Sequence, residues 1–306
     1  MAAENIRLEV AAPIRRARKP AVGGPPWLAA LVDFGRRRTL GAAGGLVIVL
    51  MLAMALFANI IAPYDPLDTS FLAQLKPPSS EHLIGTDAFG RDVFSRLIYG
   101  SRTALTIGFG AAFVGASLGA LLGVISAYFG GKIDLTIERL MDVLISFPLL
   151  ILAIAVVTVL GPGPFNSGVI IAITVPIIPR VARVIRASAL SIRRMLFVEA
   201  ARCIGAGDRR IVLHHMLPNV MAPYLILLTA FLGQAILSEA ALSFLGLGVS
   251  EPTPAWGLML RGASVQFLEK APWLAIAPGV ALSLAVFAFN LLGDSLRDAL
   301  DPRLRL

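Results

Sequence analysis

Residues 40–62, LGAAGGLVIVLMLAMALFANIIA, carry no charged side chain. Coiled as a helix at about 1.5 Å per residue, this run crosses the ~30 Å of hydrocarbon in a bilayer. A helix at the surface of a soluble core needs a polar face, and this one has none. The rest of the chain repeats the theme. It is 57% hydrophobic and 15% charged, against about 45–50% and about 25% in soluble domains, and the apolar residues are gathered into blocks. Six blocks are long enough to span: 40–62, 103–127, 143–161, 167–187, 222–247 and 273–293. The sequence predicts an all-α membrane protein with six transmembrane helices.

The net charge of +8 would suggest a nucleic-acid partner in a soluble protein. Its distribution suggests topology instead. With the N-terminus placed inside, segments 1–39, 128–142, 180–215 and 294–306 hold 21 of the 27 Lys and Arg. The positive-inside bias then puts both termini in the cytoplasm, and no nucleic-acid partner is expected. Residues 1–39 are too long and polar for a cleavable signal. They form a basic tail whose Arg15, Arg16, Arg18 and Lys19 sit among Ala, Pro and Gly, a composition that resists fixed structure. Cys203, the single cysteine, has no intrachain partner for a disulfide.

Segment 63–102 is an external stretch, proline-rich at first and turn-prone. Val93, Phe94, Leu97 and Ile98 then make an apolar stripe opposed by Arg91, Asp92, Ser95 and Arg96. That pattern predicts a short helix on the outer membrane surface, feeding a span that starts at 103. Asp87 and Asp92 read as caps and turn-makers rather than metal ligands. The second span repeats small residues every four positions, Gly108, Ala112, Ala116 and Ala120, and Gly115, Gly119 and Gly123, which lets helices approach closely in lipid. Residues 103–293 form a five-helix core with a cytoplasmic loop at 188–221, and 294–306 is a cytoplasmic tail.

No catalytic constellation or metal site emerges. The Gly131-Lys132 pair has Ser126 and Ile133 where a phosphate-cradling loop needs Gly and Ser or Thr. The adjacent His214 and His215 would point about 100° apart on a helix. Polar side chains at membrane depth are few: Gln234, Glu239 and Asn290. A buried carboxylate there costs ~3 kcal/mol, so Glu239 either lines a path or braces helices.

The loop EAARCIGAGDRRIVLHHMLPN, 199–219, is punctuated. The helix ahead of it should stop at Gly205 and Gly207. Asp208 should cap a second helix over 209–217, ended by Pro218. Val212, Leu213, Met216 and Leu217 would form its apolar face, with Ile211 stranded among polar residues. The arrangement fits either an ordinary amphipathic loop or a docking surface.

Glu199, Ala200, Ala201 and Gly205, with Leu217 and Pro218 further on, resemble the E-A-A-x-x-x-G … Ile-x-Leu-Pro motif of permease subunits of bacterial ABC importers; His215 stands at the Ile position. HLIGTDAFGRDVFSRLIYGSRTAL (82–105), LSFLGLGVSEPTPAWGLML (242–260) and FNLLGDSLRDALDPRLR (289–305) resemble the C-type dipeptide/oligopeptide branch. The resemblance implies a type I ABC importer permease fold in the bacterial cytoplasmic membrane. Its implied partners are a second permease, two ATP-binding subunits that hold ATP and Mg, and an external solute-binding protein. It also implies a peptide-like substrate, with glutathione or a nickel chelate as alternatives, and makes 199–218, with Gly207, Asp208 and His215, a coupling loop. An ion-coupled secondary transporter is the rival; it would place several ionisable groups near the midplane.

Overall fold

The computed structural model describes residues 39–262, 267 and 269–300. The basic tail up to residue 38 and residues 301–306 lie outside them. Helix α1 (Thr39–Leu56) buries Gly41, Gly44, Ile48, Met51 and Ala55. That alternation of three and four makes one narrow seam on an otherwise outward-facing helix. At Gly44 a Cβ would lie 2.7 Å from the Ala288 carbonyl oxygen, so only glycine permits the approach. A turn at Phe57 leads into the short α2 (Ala58–Ile61).

Next comes α3 (Val93–Phe129), a single helix of 37 residues. The separate surface helix expected before residue 103 does not exist: it is the first part of α3. Asp92 starts the helix by accepting from the Ser95 N–H at 2.8 Å, and nothing after it breaks the ladder. Gly100 sits mid-helix because Trp256 needs the room: a Cβ there would meet the indole at 2.7 Å. Trp256 Nε1 donates to the Leu97 carbonyl at 3.0 Å. At ~55 Å, α3 is longer than a bilayer is thick. Asp87 accepts from the N–H of Phe89 and from Arg91 Nε, at 2.8 and 2.7 Å, the turn-making role its position suggests.

After α3 the chain turns through Gly130 into α4 (Gly131–Ile145), then bends by 94° into α5 (Leu149–Leu160). The sequence predicts one span over 143–161; the structure breaks it at Ser146-Phe147-Pro148. Proline disfavours helix at the residue before it and supplies no N–H. Helix α6 (Ser167–Arg193) runs against α3. The small-residue repeats serve two neighbours: a Cβ at Gly119 would lie 2.6 Å from the Ile178 carbonyl on α6, and one at Gly108 would lie 2.6 Å from Ile236, further on.

The chain then forms α7 (Leu196–Cys203) and α8 (Asp208–Arg210), continues through a π turn (Ile211–Met216) and a 3₁₀ turn (Leu217–Val220), and enters α9 (Met221–Phe244). Short α10 (Trp256–Gly262) and long α11 (Trp273–Leu300) complete the bundle. Residues 294–300, expected in a tail, extend α11. Five helical stretches among the described residues are long and apolar enough to cross a membrane, and six are if the bent α4–α5 pair is one crossing. Among the described residues the only β pairing is an isolated bridge between Thr86 and Asp92.

Candidate functional site

The end of the bundle where α3 finishes carries an elbow. Met195 is extended (φ −79°, ψ 144°), so the helix expected to run unbroken into 199–204 instead stops at Arg193 and restarts as α7. At the far end of α7, Gly205 adopts φ +79°. The Gly205 N–H donates to the Arg202 carbonyl at 2.9 Å and the Ala206 N–H to the Ala201 carbonyl at 3.0 Å. This pair of bonds is the Schellman closure, which satisfies carbonyls a helix end leaves open and needs a left-handed residue. A Cβ at Gly205 would meet nothing within 4 Å. Glycine is there for its backbone, not for space within this chain.

The second arm differs from its sequence reading. Gly207, not Asp208, is the N-cap residue, at φ −68°, ψ 157°. Asp208 opens the helix, where its charge suits the dipole, and accepts from the Tyr128 hydroxyl at 2.5 Å. Pro218 does not end the arm, because Asp208–Phe244 is one continuous helical stretch. Proline has no N–H to give the His214 carbonyl, and the coil widens just ahead of it: the Leu217 N–H reaches back to the Val212 carbonyl. Such π turns are the usual accommodation of a broken ladder. Asn219 Nδ2 donates to the His215 carbonyl at 2.6 Å. The widening also turns Ile211 inward, so it is fully buried, while Leu213 is exposed.

One side of the elbow is sewn to the bundle. Val198, Ala201, Ile211, Val212 and Met216 are buried with Tyr128 and Ile192 in the main core. Arg202 lies over the Tyr128 ring at 5.1 Å, and Arg193 Nη1 donates to the Ala127 carbonyl at 3.0 Å. The other side is open. Glu199, Ala200, Gly205, Gly207, Asp208 and Pro218 are exposed, and His215 and Leu217 are half-buried. Leu196 and Ile204 are 82% and 85% exposed. Two large apolar side chains are thus held out on a polar, glycine-punctuated turn, beside the exposed Glu199 and Gly205.

A brace that sequence reasoning missed lies beside the elbow. Arg186 on α6 grips Asp134 on α4 through Nε and Nη2, both at 2.7 Å. Glu138 lies 3.5 Å from Arg186, and Asp142 accepts from Arg183 at 2.6 Å. The signal was present as Asp134, Glu138 and Asp142 every four residues, opposite arginines one turn apart; which helices would face each other was not legible.

The polar residues at membrane depth do not converge. Gln234 and Asn290 are exposed on the bundle surface, and Asn290 lines a cavity of about 310 Å³ with Leu237, Ser283 and Phe287. Glu239 is buried (1% exposed) and accepts from Ser243 Oγ at 2.7 Å, while Ser243 Oγ accepts from the Val249 N–H at 3.1 Å. That chain ties the end of α9 to the turn after it.

Comparison with known proteins agrees with this architecture. The family described as binding-protein-dependent transport system inner membrane component matches residues 119–306, and the N-terminal TM domain of oligopeptide transport permease C matches residues 26–78. The dipeptide transport system permease protein DppC of Alkalihalophilus pseudofirmus is 41% identical over 280 residues, 92% of this chain and 91% of that one. The glutathione transport system permease protein GsiD of Escherichia coli is 43% identical over 271 residues, 88% of each chain. The chain belongs to the family of binding-protein-dependent transport system inner membrane components.

Proposed function

We propose that this chain is the C-type permease of an ATP-driven importer of di- or oligopeptides, and that the elbow at 195–218 is the seat of an ATP-binding subunit. It works beside a second, related permease, two ATP-binding subunits that carry ATP and Mg, and an external binding protein that selects the cargo. The elbow and both termini face the cytoplasm in this reading, which the excess of Lys and Arg on that side supports. The chain is a non-enzymatic part of the machine; hydrolysis belongs to the partners. The observation that carries this reading is the exposure of Leu196 and Ile204 next to Glu199 and Gly205, on a turn whose other face is locked to α3, α6 and α9.

A lever needs a rigid arm and a distinct contact in each state, because a ligand biases an equilibrium only through different affinities for its two conformations. When the nucleotide closes the ATP-binding pair, the seated elbow moves with it. Tyr128–Asp208 and the buried Ile211 and Met216 pass that displacement to α3 and α9, and the two permeases rock between outward and inward openings. The glutathione permease relative brings a tripeptide within the range of cargo.

Uptake in cells tests the reading. It should fail on ATP depletion, persist when the proton gradient is collapsed, and vanish when residues 205–208 are deleted from a chain that still inserts. Uptake that follows the proton gradient instead would overturn it. Mass spectrometry of the ligand retained by the cognate binding protein names the cargo.

A further inference from the structure

At the opposite end of α3, Arg102 stands 26 residues before Tyr128. At the helical rise this is about 39 Å from the elbow, close to the ~40–45 Å thickness of a bilayer with its headgroups. Arg102 is exposed, its Nε donates to the Ala55 carbonyl at the end of α1 at 3.0 Å, and its guanidinium lies 5.5 Å from the centre of the Tyr99 ring. Nη1 and Nη2 have no hydrogen-bond acceptor among the described residues. They border a cavity of about 200 Å³ that also takes in Thr103, Thr106 and Asn166. Thr106 is shared with a second groove, about 500 Å³, running along α1 between Leu52, Leu105, Phe109, Leu232 and Phe289.

We propose that this composite site binds an anionic phospholipid, with the phosphate on the Arg102 guanidinium and one acyl chain in the groove beside α1. The charge sits at headgroup depth, next to a tyrosine, where aromatic side chains favour the interface. The free arginine donors suit a phosphate oxygen pair. Thr106 is the only residue lining the long groove with a polar side chain, and its hydroxyl already donates to the Arg102 carbonyl at 2.7 Å. A peptide would leave its backbone groups unsatisfied there, at a cost an acyl chain does not incur. The bound lipid fills the space that α1, attached by its single seam, leaves against α3 and α9.

The test uses the assembled complex, purified in mild detergent and exchanged into nanodiscs containing phosphatidylglycerol and phosphatidylcholine in equal amounts. Native mass spectrometry counts the lipids that stay with the complex on release. The wild type should retain phosphatidylglycerol in preference to phosphatidylcholine. Arg102→Gln should lower that retention about tenfold, the factor carried by one lost charge-assisted hydrogen bond. Leu52→Trp fills the groove without touching Arg102 and should also lower it. Equal retention of both lipids by the wild type overturns the proposal, as does retention unchanged by both variants. Should Arg102→Gln fail to assemble, Leu52→Trp and the wild-type competition decide between the outcomes. A groove covered by the second permease would retain no lipid at all, which also refutes the proposal.

Discussion

Replacing Gly205 by alanine separates backbone geometry from bulk. The residue is at φ +79° with open space where a Cβ would stand, so alanine costs no packing within this chain. It costs the ~1–2 kcal/mol by which an L-residue disfavours the left-handed conformation. Both bonds of the closure, to the Arg202 and Ala201 carbonyls, depend on that conformation, so the cost falls on the elbow. It corresponds to a factor of roughly 5–30 between formed and unformed turn. Gly207 is the internal control. It is extended at φ −68° and equally open, so alanine fits without strain, and its gain through the unfolded chain is offset by its poorer standing at an N-cap. The assay is ATP-driven uptake by the reconstituted importer at matched subunit abundance. Gly205→Ala should lower uptake severalfold, Gly205→Asn less, because asparagine visits the left-handed region, and Gly207→Ala should match the wild type. If Gly207→Ala is as damaging as Gly205→Ala, bulk rather than backbone conformation governs the elbow and the reasoning fails.

Three further outcomes follow from the packing. A Cβ at Gly123 would lie 2.5 Å from the Ala182 carbonyl and 2.9 Å from the Arg186 nitrogen, whereas one at Gly110 has 3.6 Å; Gly123→Ala should cost about 1–3 kcal/mol and Gly110→Ala nothing, read by thermal inactivation of the complex. Asp134→Asn weakens the two-pronged grip on Arg186; the pair is partly wet, so the loss is about 1 kcal/mol, and high salt should shrink the difference between variant and wild type. Glu239→Gln keeps an acceptor for Ser243 and should leave uptake intact, while Glu239→Leu removes it and should cost about 1–3 kcal/mol of stability, read as lower abundance. Loss of uptake by Glu239→Gln at normal abundance would give the charge a role in transport.

What was legible in the sequence was what local chemistry decides. The uncharged run 40–62 yields α1 because no other structure suits it, and Gly205 marks the elbow because only a left-handed residue closes that turn. Asp92 caps α3 as its position before an apolar stripe suggests. Context decided the rest. The surface helix merged with its span because nothing between 93 and 103 interrupts hydrogen bonding. The bend at Pro148 was written in the dipeptide Phe-Pro, but the hydrophobicity of 143–161 masked it. Ile211 looked stranded only on a 3.6-residue coil; the π turn before Pro218 rotates it into the core. The grip of Arg186 on Asp134 joins residues 52 positions apart, a pairing that no window along the chain contains.

Cys203, the single cysteine, is exposed on α7 between Glu199 and Gly205, so the elbow carries its own probe. The rate at which a membrane-permeant maleimide labels Cys203, in membranes with and without the ATP-binding subunits, tests directly whether the elbow is seated. Labelling should be fast in the permease pair alone, strongly slowed once the ATP-binding subunits are present, and responsive to ATP. A rate unchanged by those subunits in every nucleotide state would mean that the elbow touches neither of them.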